Sequence, residues 1–304
     1  MSEAKADVQA SVAGEDRRLL CIGLGYTAQA LARRLQPRGL TIIGTSRSDS
    51  GCVKLTQKGF RGLVFDGGAR SAALAGAIAS ATHVLVSVAP DANGDPVLRH
   101  HRDDLAAAPG LDWIGYLSTI GVYGDRGGAW VDETTLPAPG SERSRRRLAA
   151  ETDWLMLGQS ARKRVEIFRL PGIYGPGRSA IDTVRAGTAR RLVKAGQVFN
   201  RMHVDDIAAA LDAALSRPHA FHIYNLADDE PAPPEDVVAY AAGLLKVPPP
   251  PLEPFDARRL SPMAASFYAE TKRVSNARAK ASLGLRLLYP TYREGLAAIA
   301  GASS

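Results

Sequence analysis

The residues best suited to chemistry lie close to the start of the chain, in Leu19-Leu20-Cys21-Ile22-Gly23-Leu24-Gly25-Tyr26-Thr27-Ala28. An apolar run enters a glycine turn and leaves as an amphipathic helix. Gly23 permits the tight turn, and Gly25 removes the side chain that would hold a pyrophosphate away from the backbone. Ala28 is small enough for helix and strand to pack closely. The helix then presents its N-terminal N–H groups and positive end to a phosphate, with Tyr26 and Thr27 among the expected cofactor-site residues. The competing explanation is an ordinary tight strand-to-helix turn. The placement after a strand and before a helix favours a dinucleotide site.

A second cluster follows the next apolar run, where Thr41-Ile42-Ile43-Gly44-Thr45 leads into Ser46-Arg47-Ser48. A chain selective for NAD(H) usually places an acid here to hold the ribose 2′-hydroxyl. This strand end has none. Arg47 with Ser46 and Ser48 instead suits a 2′-phosphate, so NADP(H) is expected over NAD(H), against the plainer alternative of a loop arginine. Asp66 ends Val64-Phe65-Asp66 and either accepts a hydrogen bond from the adenine amine or caps the following turn. Ser87-Val88-Ala89-Pro90 ends a further strand where a cofactor would lie, with Val88, Ala89 and Pro90 lining it. The loop Asp91–Asp95 is expected to be a mobile flap.

The elements that must position these residues alternate along the chain. Strands are expected at Arg18–Gly23, Thr41–Thr45, Gly62–Phe65, His83–Val88, Trp113–Ser118, Val165–Leu170 and His222–Asn225. Helices are expected at Thr27–Leu35, Ser71–Ala79, Arg143–Leu157, Asp205–Ala214 and Pro234–Leu245. This alternation predicts an α/β protein with a Rossmann-type, doubly wound parallel sheet. Several strands are continuously apolar, as expected when helices cover both faces. The organisation predicted is a disordered tail at 1–16, an NAD(P)-binding domain at 17–226 and a small C-terminal substrate lobe at 227–304, with 172–200 contributing to that lobe. Prolines on either side of 234–245 mark the change in character. The substrate site is expected in a cleft between the lobe and the C-terminal strand ends.

Composition excludes other classes. The 304 residues are 45% hydrophobic and 23% charged, typical of a soluble globular protein. No run reaches the length of a membrane span, and the first sixteen residues lack a signal-peptide core, so a cytoplasmic protein with no membrane partner is expected. Cys21 and Cys52 form no metal-ligand spacing, and no metal site is expected. The net charge of +7 owes much to Arg143, Arg145, Arg146 and Arg147. Without aromatic interleaving, a solvated basic face or attraction to an anionic nucleotide explains it better than nucleic acid.

Further segments together resemble the extended short-chain dehydrogenase/reductases, the superfamily of nucleotide-sugar epimerases and dehydratases. They are Leu117-Ser118-Thr119-Ile120-Gly121-Val122-Tyr123-Gly124, Arg169-Leu170-Pro171-Gly172-Ile173-Tyr174-Gly175-Pro176-Gly177, Arg201-Met202-His203-Val204-Asp205-Asp206 and Tyr224-Asn225-Leu226-Ala227-Asp228. Their order matches the superfamily from about residue 18 to 300. The resemblance implies that Thr119 takes the place of the catalytic serine or threonine, and that Pro171 belongs to the cofactor site. The superfamily also uses a Tyr-x-x-x-Lys pair on the next helix, whose lysine lowers the tyrosine pKa and binds the nicotinamide ribose. Here Arg147-Leu148-Ala149-Ala150-Glu151 aligns with the lysine end, and Arg143 stands at the tyrosine position. No Tyr-x-x-x-Lys is expected anywhere in the chain, which therefore reads as an atypical member lacking the usual pair. Arg147 is a candidate ribose ligand. Arg143, Tyr123, Tyr174 and Arg201 are candidate substrate contacts, Arg201 to a phosphate and the tyrosines as substitute acids.

Asp205 is expected to cap a helix, and His100 and His101 to open a solvated one. The function these readings imply is an NADP(H)-binding oxidoreductase or epimerase-like enzyme. Its substrate would be a small carbonyl or carbinol compound, with nucleotide sugars as the class the resemblance suggests. The alternative is a catalytically silent NADP(H) sensor. Members of the superfamily often form homodimers, and a homodimer is compatible with this chain.

Overall fold

A computed structural model of the chain describes residues 17–216, 218 and 220–302; the tail expected at 1–16 lies outside them. The seven predicted strands all form, and they join one sheet. They are β1 (Arg18–Ile22), β2 (Thr41–Ser46), β3 (Arg61–Val64), β4 (His83–Val86), β5 (Trp113–Thr119), β7 (Arg164–Leu170) and β11 (Ile223–Asn225), in the order β11-β7-β5-β4-β1-β2-β3. The pairings β1–β2, β1–β4, β2–β3 and β4–β5 are parallel. Chain order reverses across β1, the point where open α/β sheets bind ligands beyond their carboxyl ends. Helices α1 (Tyr26–Leu35), α2 (Asp49–Gln57), α3 (Ala72–Ser80), α4 (Pro96–Ala107) and α5 (Glu142–Ala161) connect these strands in sequence.

The chain divides into two compact units. The first comprises the described residues up to Leu117 with Ala149–Ile167 and Ala214–Pro218. Its core follows from the apolar strands: Trp113, Tyr116 and Trp154 are fully buried, and Tyr116 stacks on Trp154 at 5.8 Å. Local signals start its helices. Ser48 and Ser71 cap α2 and α3 through their hydroxyls, and Asp95 caps α4, which has proline in its first turn. The flap expected at Asp91–Asp95 is instead tied down. Asp91 pairs with Arg99 at 2.9 Å and bridges Gly94, and Asp95 is 3% exposed. His101 is likewise a buried helical residue rather than a solvated one, and its Nδ1 meets Asp104 at 2.8 Å.

The second unit comprises Ser118–Leu148, Phe168–Ala213 and the described residues beyond Pro218, a wider share of the chain than the 172–200 contribution expected alongside 227–304. Three short parallel pairs brace it: β8 (Gly172–Tyr174) with β10 (Arg201–His203), β9 (Arg191–Val193) with β12 (Leu252–Pro254), and β6 (Trp130–Val131) with β13 (Arg273–Val274). Its remaining helices are α6 (Ala180–Arg185), α7 (Val204–Ser216), α8 (Pro234–Leu244), α9 (Pro262–Tyr268), α10 (Ala277–Leu283) and α11 (Tyr292–Gly301). One apolar cluster joins Tyr174, Ile181, Val237, Tyr292 and Leu296. A second joins Val122, Tyr123, Val131, Ala227 and Val274.

Candidate functional site

In the first unit, the turn after β1 has the form the glycine pattern predicts. Gly23 adopts φ +89°, and its amide donates to Thr45 Oγ1 at 2.8 Å. Leu24 N–H reaches the Thr45 carbonyl at 2.9 Å, so the turn is fastened to β2 by two bonds. Gly25 is the N-cap of α1 and supplies no side-chain acceptor to the first-turn amides. A Cβ built on Gly25 meets nothing within 4 Å. These features make a cradle that a side chain would fill, beside amides that a phosphate could use. Thr27 and Ala28 are buried, so the helix packs closely behind the turn, while Tyr26 is half-buried. Ser87 Oγ donates to the Gly23 carbonyl, and Val88 packs against Gly23. Pro90 is half-buried beside an exposed Ala89.

At the end of β2, Arg47 is exposed. Ser46 is half-buried and would meet any Cβ at Gly51, so it packs against the start of α2. Ser48 accepts from Gly51 N–H at 3.3 Å, and its hydroxyl shares a 3.1 Å hydrogen bond with the Ser50 hydroxyl. Asp66 accepts from Gly68 N–H at 2.8 Å, the turn-capping alternative foreseen for it.

The second unit contains a cavity of about 860 Å³. Thr119, Arg143, Arg147, Pro171, Tyr174 and Arg201 all line it, so six residues singled out from sequence share one wall. Thr119 Oγ1 accepts from Gly121 N–H at 3.1 Å, which fixes the hydroxyl as N-cap of a short turn and leaves its proton free to donate. Arg143 is exposed and lies over the Phe267 ring at 4.8 Å. Ser144, one position on, is buried and accepts from the Ser141 hydroxyl at 2.9 Å. The basic cluster is partly self-neutralised, because Arg145 and Arg146 both pair with Glu142 at 3.0 Å.

Tyr123 is not on the cavity wall. It is fully buried, donates to Asn225 Oδ1 at 2.8 Å and accepts from Arg169 Nη1 at 2.9 Å. Burial pushes its pKa up despite Arg169, which opposes an acid role near neutrality. Tyr174 donates to the Thr291 carbonyl at 3.3 Å, and burial, then Asp228 and Asp206, push its pKa upward as well. Neither tyrosine has the environment of a proton donor at neutral pH.

The expectation that the chain lacks Tyr-x-x-x-Lys holds only for α5. The spacing does occur at Tyr268 and Lys272, and both line the cavity. It does not build the superfamily's pair, because α9 ends at Tyr268 and the two side chains are not stacked along a helix. Lys272 Nζ is held by Glu270 at 2.6 Å. Tyr268 packs between Phe199 and Phe255, and burial, with Glu235, raises its pKa instead of lowering it.

Asp205 is not the helix cap expected of it. Its own N–H donates to His203 Nδ1 at 3.2 Å, and its side chain is 53% exposed. Asp206 is the structural acid here, accepting from Leu288 N–H at 2.7 Å and Tyr289 N–H at 3.0 Å. Sequence reading placed Asp228 in a superfamily segment but gave it no role. Its carboxyl is 2% exposed with Oδ2 unpartnered among the described residues, and burial raises its pKa to about 8 although Arg201 pulls the other way. The folded chain thus keeps a proton that the unfolded chain releases near pH ~4, so Asp228 contributes stability at low pH that is lost as pH rises towards about 8. The melting temperature of Asp228→Asn should fall less than that of the parent between pH 5 and 8, by on the order of 5 °C. Parallel melting curves would contradict this role.

No metal-binding group of three or more His, Cys, Asp or Glu occurs among the described residues. None of their helices is long and apolar enough to cross a membrane.

No family model matches the chain. Protein YeeZ of Escherichia coli (strain K12) is 29% identical over 249 residues, which cover 77% of this chain and 86% of that protein. A functionally unknown conserved protein from Silicibacter pomeroyi DSS is 47% identical with a TM-score of 0.85, covering 95% of this chain and 99% of that one. A structure from Methylobacillus flagellatus, provisionally described as an NAD-dependent epimerase/dehydratase, is 26% identical with a TM-score of 0.70 over 95% of this chain and 99% of its own.

Proposed function

For a chain that belongs with the epimerase/dehydratase-like short-chain dehydrogenase/reductases, we propose an NADP(H)-binding oxidoreductase or epimerase-like enzyme acting on a small carbonyl or carbinol compound. The observation that carries this reading is the turn at Gly23–Ala28, where a side-chain-free cradle adjoins uncapped helix amides. The residues present fit a dinucleotide. In the first unit, Gly25 and the first turn of α1 would take the pyrophosphate, and Val88 to Pro90 would line the cofactor. The related Methylobacillus structure is described as NAD-dependent. The feature favouring NADP(H) here is Arg47 at the end of β2, where an NAD-selective chain would carry an acid. Arg47→Ala should weaken NADPH by about ten- to a hundredfold and leave NADH nearly unchanged, as titration calorimetry would record.

A nicotinamide cofactor bound there would supply hydride-transfer chemistry. The chain's own contribution is to hold the substrate oxygen at the carbon that changes oxidation state. Thr119 is suited to this, because its oxygen accepts from Gly121 and its hydroxyl proton remains to donate. The accompanying proton comes from water or another group, since neither Tyr123, Tyr174 nor Tyr268 has a lowered pKa. Following NADPH absorbance with a panel of carbonyl compounds and sugar nucleotides tests turnover. Thr119→Ala should reduce any rate found by about a hundredfold. An unchanged rate would remove Thr119 from the mechanism.

The second reading, a cofactor sensor without turnover, is favoured by one observation: α5 carries Arg143 and Arg147 where the superfamily has its tyrosine and lysine. NADPH binding without consumption by any compound of the panel would select it. Both readings concern a small molecule in the cavity, with no nucleic acid or membrane partner, in a cytoplasmic protein that could pair as a homodimer.

A further inference from the structure

The cavity of the second unit contains a buried cation whose charge no ion pair answers among the described residues. Arg201, at the start of β10, is 9% exposed and lines the cavity. Its Nη2 donates to the Ala232 carbonyl at 3.3 Å, and its guanidinium carbon lies 5.4 Å from the centre of the Tyr292 ring. Nη1 has no partner among the described residues. An unpaired guanidinium nitrogen carries donors that burial strips of water, a costly arrangement that makes sense where something uses them.

Several charges near Arg201 are already paired, although Arg143, Arg147 and Arg178 also line the cavity. Lys272 is held by Glu270 at 2.6 Å. Asp182 accepts from the Ser179 N–H and hydroxyl, closing a capping box. Asp229 pairs with Lys280 at 2.6 Å and Glu230 with Arg293 at 2.8 Å. Asp228, whose N–H donates to the Arg201 carbonyl at 2.8 Å, is the remaining counter-charge. Its own Oδ2 is unpartnered among the described residues, and burial pushes its pKa up to about 8, which weakens its hold on the guanidinium. The guanidinium charge therefore stays available.

The same wall is apolar beside Arg201. Tyr174, Val237, Tyr292 and Leu296 line the cavity and belong to one buried cluster. We infer that Arg201 is the anion-binding residue of this cavity and that its ligand is a small organic acid, with a carboxylate or phosphate head on Arg201 and an apolar or aromatic body against Tyr174, Val237, Tyr292 and Leu296. A guanidinium pairs with either anion in the same fork geometry, so the two heads share one chemistry. The inference names the substrate class of the cavity and rests on the proposed function only in calling that ligand a substrate.

Calorimetric titration of the full chain with benzoate, phenyl phosphate and benzamide tests it without turnover. The neutral amide has nearly the shape of benzoate and lacks its charge. At least one of the two anions should bind, and benzamide should bind about tenfold or more weakly. Arg201→Met should remove the preference, and Arg201→Lys should restore part of it, in protein whose melting temperature and NADPH titration match the parent. The stronger anion identifies the head group. Equal binding of benzoate and benzamide, a preference that survives Arg201→Met, or no binding of any probe at millimolar concentration would overturn the inference. NADPH titration separates it from the cofactor reading. Loss of nucleotide binding with anion binding intact defeats only the proposed function, and the reverse defeats only this inference.

Discussion

Gly25→Val is expected to lower pyridine-nucleotide affinity by about a hundredfold or more while leaving the fold intact, the loss being that of charge-assisted phosphate contacts. Gly25 sits at the N-cap of α1 with φ −85° and ψ −162°, a backbone that any residue adopts. An added Cβ meets nothing within 4 Å, so valine costs the free chain little. Its branches would nevertheless occupy the space a pyrophosphate must enter to reach the first-turn amides. Gly23→Val should behave in the opposite sense. Gly23 holds φ +89°, and a Cβ there would lie 2.6 Å from Ser87 Oγ and 3.2 Å from a Val88 methyl. That substitution should destabilise the protein by about 2–4 kcal/mol, through backbone strain and overpacking together. Paired melting curves and nucleotide titrations separate the two effects. Equal nucleotide affinity in Gly25→Val and the parent would contradict the cradle.

Asp95→Ala is expected to cost about 3–5 kcal/mol of stability, the largest loss at any single polar side chain considered. The carboxylate is buried and serves three donors in the first unit. Oδ1 accepts from Val97 N–H at 2.8 Å and Leu98 N–H at 3.2 Å, capping α4, and Oδ2 accepts from Trp154 Nε1 at 3.0 Å. Alanine leaves all three buried donors unpaired. Asp95→Asn should recover part of the loss, because its carbonyl oxygen can still cap α4 while its amide cannot accept from the indole. Denaturant unfolding gives the comparison. Asparagine and aspartate of equal stability would show that the indole bond contributes nothing.

Much of this fold was legible because parallel strands buried on both faces are written as apolar runs. The strands from Leu19 to Ile22 and from Val84 to Val86 are buried along their length. The glycine turn was legible for a different reason: its constraints are local, set by one left-handed φ and one absent Cβ. Helix α4 was harder. Its cap and first-turn proline, Asp95-Pro96, stand beside a stretch with two histidines and two aspartates that reads as solvated surface. Only tertiary packing buries His101 and turns Asp104 towards it and Arg70. The small pairs β8–β10, β9–β12 and β6–β13 are two or three residues long, too short for periodicity to register.

The cavity shows the same division. Thr119, Arg147 and Arg201 stand in segments that sequence reading singled out, whereas Glu270 and Lys272 do not. Their significance lies in burial and pairing, which spacing does not encode. Tyr268 and Lys272 make the converse case. Their spacing fits the superfamily's pair, yet the end of α9 at Tyr268 denies them a common helical face. Spacing carries chemistry only where the backbone has the period that the spacing assumes.

The central claim is that the turn at Gly23–Ala28 grips a pyridine dinucleotide and that Arg47 selects its 2′-phosphate. Calorimetric titration of the full chain with NADPH, NADP⁺, NADH and NAD⁺ tests it most directly. Saturable heat with NADPH or NADP⁺, with the unphosphorylated pair about tenfold or more weaker, is the expected result. No heat from any of the four at millimolar concentration would contradict the account, and tighter binding of NADH than NADPH would contradict the role of Arg47.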